Sequence, residues 1–281
     1  MHRARHCLAP AALALVLAVP AALVAPAASA QSVRDLLQQR VPEALRPALA
    51  LTVEDEIRAG QAAAANLLGV APLVADEGLQ RYVNTVGRWI AMGSERPDLP
   101  WRFGVVDSAD VNAFAAPGGY VLITRGLYAS LGDEAELAGV LGHEIAHVVE
   151  RHHLDLMRKS LLLEMGVQSL QKQLEGDREA LVRRLVGTGA EIFARRLDQG
   201  AEFQADRHGM VLAARAGYSP FGLPAVLQKI ASVDRTDDRV TLLYRTHPAP
   251  DERLRQLEAA FGAGLDGLDR PDAGGKLHPL K

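Results

Sequence analysis

Residues 143–147 read His143-Glu144-Ile145-Ala146-His147. On an α-helix, side chains four residues apart lie about 40° from each other around the axis and one turn along it. His143 and His147 would then face one point and could grip a single metal ion. Glu144 would project close enough to act on a water molecule held there. The chemistry this suits is hydrolysis, with a Lewis acid to activate water and a carboxylate to take its proton.

The flanking sequence must supply the helix. Asp133 suits an N-cap and Glu136 stands at the capping-box position. Leu137, Val140, Leu141, Ile145 and Val148 form an apolar stripe at helical spacing. Gly139 and Gly142 interrupt this stretch, each at a cost of about 1 kcal/mol relative to alanine. The expected compensation is close approach of another backbone near the metal. The plainer alternative is a buried helix whose two histidines are satisfied by ordinary hydrogen bonds.

A tetrahedral catalytic zinc takes a third protein ligand and keeps one position open. Glu202 and Asp206 offer the best downstream pair, four apart on a helix expected from about Thr188 to Gly217. Glu202 would bind the metal. Asp206 would accept a hydrogen bond from the far nitrogen of a ligand histidine, His143 being the natural partner. By itself, Glu202 could equally be a solvated carboxylate paired with Arg195, Arg196 or Arg207.

Several segments in order carry a family resemblance: Gly126-Leu127, Glu134-Ala135-Glu136-Leu137-Ala138, His143 to Val148, Glu202-Phe203-Gln204-Ala205-Asp206, and Thr246-His247-Pro248-Ala249-Pro250. Asn112 to Gly119 adds to them upstream. Together they resemble the gluzincin metallopeptidases of the HtpX, Oma1 and CAAX-prenyl-protease superfamily, within it the soluble BepA/LoiP-like bacterial envelope branch. The resemblance covers roughly residues 52–258. It implies a zincin-like α+β fold, mainly helical, with a small three-stranded sheet beside the motif helix. It implies one Zn2+ per chain held by His143, His147 and Glu202, with Glu144 as general base and Asp206 behind a ligand. His247 would complete the centre, as a donor to developing negative charge or as a fourth ligand that keeps a resting enzyme latent. Tyr244 and Arg253 are weaker candidates for supporting roles. His152 and His153 follow the motif too closely to turn back on an unbroken helix. They are expected as exposed residues at its end, where its negative pole favours them. His208 and His278 carry no assigned role.

Residues 1–30 read as a secretory signal peptide: Arg3 and Arg5, an apolar run from Leu8 to Val24, and Ala28-Ser29-Ala30 before Gln31. Cys7 lies too early for a lipid anchor, and it is the sole cysteine. Cleavage would remove it together with two of the 31 basic residues and none of the 34 acidic ones. The product would be a mildly acidic periplasmic protein with no basic footprint for nucleic acid. No later apolar run is long enough to span a bilayer, which separates the chain from the membrane-embedded branches. There is also no room after Glu258 for a tetratricopeptide array.

A leader at 31–51, a metallopeptidase domain at 52–260 and a poorly ordered Gly- and Pro-rich tail at 261–281 are expected. Strands are expected at 101–106, 112–115 and 120–124, the last two joined across Pro117-Gly118-Gly119. Asn112, Ala113, Phe114 and Ala115 are the substrate-binding candidates, an edge strand against which a peptide could lie extended; a plain buried strand is the alternative. Residues 154–190 suggest helices over the cleft, either a lid with peripheral membrane contact or a permanently packed hairpin, the latter favoured by the continuous apolar face. The leading expectation is a zinc endopeptidase acting on unfolded or misassembled envelope polypeptides. A chaperone-like assembly factor with little proteolysis, or a narrow amide hydrolase, are the alternatives.

Overall fold

The helix carrying the motif, Glu134–Val149, is buried continuously from Ala135 to Val148, and the other elements are arranged around it. The computed structural model describes residues 51–161, 183, 197–262 and 275–280. The expected signal peptide, nearly all of the leader, and much of 154–190 lie outside the described residues. In chain order the elements are α1 (Val53–Val70), α2 (Glu77–Met92), β1 (Arg102–Val106), β2 (Ala113–Ala116), β3 (Tyr120–Thr124) and α3 (Arg125–Ser130). They continue with α4 (Glu134–Val149), α5 (Gln199–Arg215), α6 (Gly222–Ala231), α7 (Asp238–Thr246) and α8 (Pro250–Phe261). The result is the α+β, mainly helical architecture expected from the resemblance.

Local signals account for where the helices start. Thr52 and Asp55 form a reciprocal capping box at α1. Asp76 caps α2, which buries Leu79, Val83, Val86 and Ile90 along one stripe. Asp133 caps α4 by accepting from Glu136 N at 2.9 Å. The Glu136 carboxylate does not close the box on Asp133. It reaches one residue further, to Gly132 N at 2.7 Å, and pairs with Lys229 of α6. Asp198 caps α5, so that helix begins at Gln199 among the described residues.

The sheet has the order β1-β3-β2, with β1 parallel and β2 antiparallel to β3. Gly118 and Gly119 make the β2–β3 turn with φ of 74° and 100°, which side chains with a Cβ rarely adopt. Among the described residues β2 is thus an edge strand, as expected, and it packs against α4. α2 covers β1. The Gln80 side chain bonds both the N–H and the carbonyl of Val105, fixing the helix to the strand.

Gly142 of α4 and Gly209 of α5 meet where these helices cross. A Cβ at Gly142 would lie 2.6 Å from the Gly209 carbonyl oxygen, and one at Gly209 would lie 2.5 Å from His143 N. Gly139 makes a similar approach to the backbone of α6 at Leu223. The helix propensity lost at these positions is exchanged for backbone-to-backbone contact, as the sequence suggested.

At its far end α4 stops abruptly. Arg96 donates to Val148 O at 3.1 Å and is held by a paired hydrogen bond to Glu56 of α1. Arg151 then takes a left-handed φ of 61° and the chain reverses into a helical stretch at 152–161. Leu154, Met157 and Leu161 of that stretch are buried. Of the tail expected to be poorly ordered, 275–280 lie against the core: Leu277 and Leu280 pack there, and Tyr128 donates to His278 O.

Candidate metal centre

α4 presents His143 and His147 on one face with their Nε2 atoms 3.0 Å apart. α5, held close by the glycine crossing, brings in Glu202. Its Oε2 lies 3.7 Å from His143 Nε2 and its Oε1 lies 3.6 Å from His147 Nε2. Glu202 has no exposed surface, so its carboxylate does not stand in solvent. His247 supplies a fourth group from the C-terminal end of α7, its Nε2 3.9 Å from Glu202 Oε2. The ligating atoms of all four lie within 4.8 Å of one another.

These spacings fit one tetrahedral ion. With bonds of about 2.0–2.1 Å, two ligands of such an ion lie about 3.3 Å apart. The imidazole–imidazole and imidazole–carboxylate distances of 3.0–3.7 Å bracket that value, and His247 stands slightly further out. Imidazole nitrogen with carboxylate oxygen is also a donor set that suits zinc. The three histidines are fit to ligate: desolvation lowers the pKa of His143, His147 and His247, keeping each ring neutral with a lone pair available.

Each imidazole has a distinct support on its far side. His143 Nδ1 is 2.8 Å from Asp206 Oδ1, the partner anticipated from the sequence. Asp206 is gripped by Arg253 of α8, through Nε at 2.9 Å and Nη2 at 2.5 Å. Burial opposes the Asp206 charge, but the Arg253 cation and its hydrogen bonds prevail and hold this carboxyl well below the usual range. Arg253 Nη2 also lies 3.3 Å from His143 Nδ1, a nitrogen whose single proton serves the closer carboxylate. His247 Nδ1 meets Thr246 Oγ1 at 2.9 Å, and that hydroxyl reaches Leu242 O. With its proton on Nδ1, His247 turns a lone pair on Nε2 toward the centre, which suits a ligand better than a hydrogen-bond donor.

Glu144 lines a cleft beside the centre with His153, Leu197, Glu202, Thr246, His247 and the strand residues Ala113, Phe114 and Ala115. Burial pushes its carboxyl up to about 8, with Arg253 pulling the other way. Asn112, the remaining strand candidate, is fully buried at the head of β2, where its backbone bonds Thr124.

Other sequence expectations resolve differently. His152 and His153 are half-buried against His147 because Arg151 reverses the chain. His152 Nδ1 lies 2.9 Å from His147 Nδ1, and the His153 ring is 5.4 Å from that of His147. Tyr244 is turned away, its hydroxyl donating to Ile230 O. His208 bridges Glu150 and Glu95 away from the centre. Arg253 matters more than its sequence weight suggested. A signal was present: Pro250, Arg253 and Leu257 share the buried face of α8, and an arginine on an apolar stripe requires a buried partner.

The chain was compared with known proteins. The model of "Peptidase family M48" matches residues 77–260. The "Beta-barrel assembly-enhancing protease" of Yersinia pestis is 33% identical over 210 residues, 73% of this chain and 43% of that protein. "Mitochondrial metalloendopeptidase OMA1" of Arabidopsis thaliana is 30% identical over 186 residues, 66% of this chain and 36% of that protein. "Metalloprotease YcaL" of Escherichia coli is 29% identical over 175 residues, 62% of this chain and 67% of that protein. The chain thus spans less than half the length of the first two relatives. A motif helix, a buried glutamate one crossing away and a match over most of the described residues converge on one conclusion: the chain belongs to peptidase family M48.

Proposed function

We propose that this chain is a zinc-dependent endopeptidase of the bacterial periplasm that cuts misfolded or stalled envelope proteins. The observation that carries the reading is the convergence of His143, His147 and Glu202 on one point, with Glu144 beside it in a cleft bordered by an edge strand. The periplasmic address rests on the leader-like sequence at 1–30, and the envelope substrates on the name of the Yersinia pestis relative, a beta-barrel assembly-enhancing protease. No described helix is long and apolar enough to cross a membrane.

In this reading His143, His147 and Glu202 hold the ion, and Asp206 fixes the ring of His143. A bound Zn2+ supplies a Lewis acid that polarises the scissile carbonyl and acidifies water. Glu144 takes the proton of the attacking water on its carboxylate and hands it to the leaving amine nitrogen. Its place in the cleft beside the proposed ligands lets one carboxylate serve both transfers. β2 lines the cleft where the substrate backbone would lie extended, and the small side chains of Ala113 and Ala115 let a peptide come close. His247 would supply a fourth ligand in a resting form, which would keep the enzyme latent.

The test pairs metal analysis with digestion. The purified protein should hold about one zinc per chain and cut unfolded casein at internal bonds. Glu144→Gln should keep the zinc and lose at least about 10²-fold in turnover, the scale of positioned proton transfer. Casein left intact by a zinc-loaded wild type would instead favour the chaperone-like alternative.

A further inference from the structure

The two histidines of the motif are supported in unlike ways. His143 leans on a carboxylate. His147 leans on a second imidazole, that of His152, which no motif position marks. His147 Nδ1 is 2.9 Å from His152 Nδ1, and His152 Nε2 is 3.4 Å from Gln204 Oε1. These three groups arrive from different elements: His147 from α4, His152 from the stretch that Arg151 turns back, and Gln204 from α5.

The proton positions along this chain follow from one end. His147 turns Nε2 toward His143 and Glu202, so a ligand there needs its lone pair on Nε2 and its proton on Nδ1. Two donors cannot share a 2.9 Å contact, so His152 Nδ1 accepts. The remaining proton of neutral His152 then sits on Nε2, where the Gln204 carbonyl oxygen accepts it. One tautomer assignment makes every contact in the row a hydrogen bond: His147 Nδ1–H to His152 Nδ1, then His152 Nε2–H to Gln204 Oε1. The reversed assignment would place a proton on the metal-facing nitrogen of His147.

We propose that His152 and Gln204 are positioning residues, a neutral two-step relay that holds His147 in its metal-binding tautomer and ring orientation. The inference rests on the metal site proposed above. It assigns α5 three tasks: Glu202 toward the ion, Asp206 behind His143, and Gln204 behind His147 through His152. Groups that support a ligand imidazole from behind are worth about 10- to 100-fold in metal affinity. A neutral acceptor leaves His147 less negatively biased than His143, so the relay acts by geometry and tautomer rather than by adding charge to the centre.

The experiment uses the full chain stripped of metal. Zinc affinity is measured by competition with a chromophoric chelator, and the visible spectrum is recorded after loading with Co2+. His152→Leu removes the acceptor and should weaken zinc binding by about 10- to 100-fold and shift the cobalt bands. His152→Asn can place Oδ1 where Nδ1 stands and should recover most of the affinity and the spectrum. Gln204→Leu breaks only the outer link and should give a smaller loss in the same direction; it also carries the test if His152→Leu fails to fold. Affinity and spectrum unchanged in the folded leucine variants would overturn the relay, as would His152→Asn behaving no better than His152→Leu. A wild-type protein that takes up neither zinc nor cobalt would overturn the metal site itself, a separate failure.

Discussion

Where α4 crosses α5, backbone touches backbone; where α7 gives way to α8, a single imidazole projects from a helix end. The crossing delivers His143, His147 and Glu202, all buried, and its geometry is set by Gly142 and Gly209, which leave no space for a side chain. The corner delivers His247, half-buried, its backbone N–H bonded to Leu243 O and its ring held by its neighbour Thr246. Pro248 and the start of α8 at Pro250 follow at once, so no helical backbone ladder extends through His247. Three donors are thus set by close packing and the fourth by a local contact. An ion held in the proposed way could stay on the three packed donors while the fourth withdrew.

Arg253 belongs to the corner by sequence but serves the crossing, and removing it should have the largest effect. Its guanidinium is the main counterion of the buried Asp206 carboxylate. Arg253→Met should cost about 3–5 kcal/mol, because a buried charge then loses its partner. Urea unfolding of the metal-free protein measures this. Adding Asp206→Leu should recover part of the loss. A single variant as stable as wild type would mean that the corner and the crossing are not joined through this pair.

The crossing itself can be broken at Gly209. Two effects oppose each other in Gly209→Ala. Helix propensity should stabilise by about 1 kcal/mol, whereas overpacking a tight contact costs about 1–3 kcal/mol. With the new Cβ only 2.5 Å from His143 N, overpacking should win, lowering the melting temperature and weakening metal uptake. A raised melting temperature would show that the crossing has room for a methyl group.

His247→Ala tests the other half of the contrast. If the corner only closes the fourth position, the variant keeps about one zinc through the other three ligands. Turnover of unfolded substrate should rise. An increase on the order of tenfold would correspond to a resting preference of about 1.4 kcal/mol for the closed form. Loss of zinc from the variant would place His247 among the required ligands and remove the distinction.

The crossing was legible in the sequence and the corner only partly so, for a physical reason. Spacing within one helix is local: His143 with His147 and Glu202 with Asp206 follow from the helical turn, and Gly139 and Gly142 announced a close neighbour. The family resemblance then joined the two segments, which spacing alone could not. The edge strand was readable from its small residues and the Pro-Gly-Gly turn, but the parallel pairing of β1 with β3 depends on partners far apart in sequence. The places of His152 and His153 are not readable in the sequence, because the turn after α4 occurs at Arg151, a residue that carries no turn signature. The contact of Gln204 is hidden for the same reason, since it depends on where His152 lies.

The smallest effect expected is electrostatic, at the polar end of the crossing. His208 of α5 contacts Glu150, at the C-terminal cap of α4, and Glu95, each at 2.9 Å; Glu95 also pairs with Arg215. Burial disfavours the His208 cation, but the two carboxylates outweigh it and raise its pKa above the ordinary value near 6.5. A raised folded-state value means that the folded protein binds this proton more tightly than the unfolded chain does. The resulting stability is therefore complete below about pH 6.5 and fades as pH rises through the folded-state value. Thermal unfolding of the metal-free protein at pH 6 and at pH 9 should show a larger loss in wild type than in His208→Gln, which cannot be protonated. Because the glycine contact does not titrate, both proteins should remain folded at pH 9. If the variant tracks wild type across that range, His208 adds nothing to the crossing, and the close backbone contact alone accounts for how α5 is held.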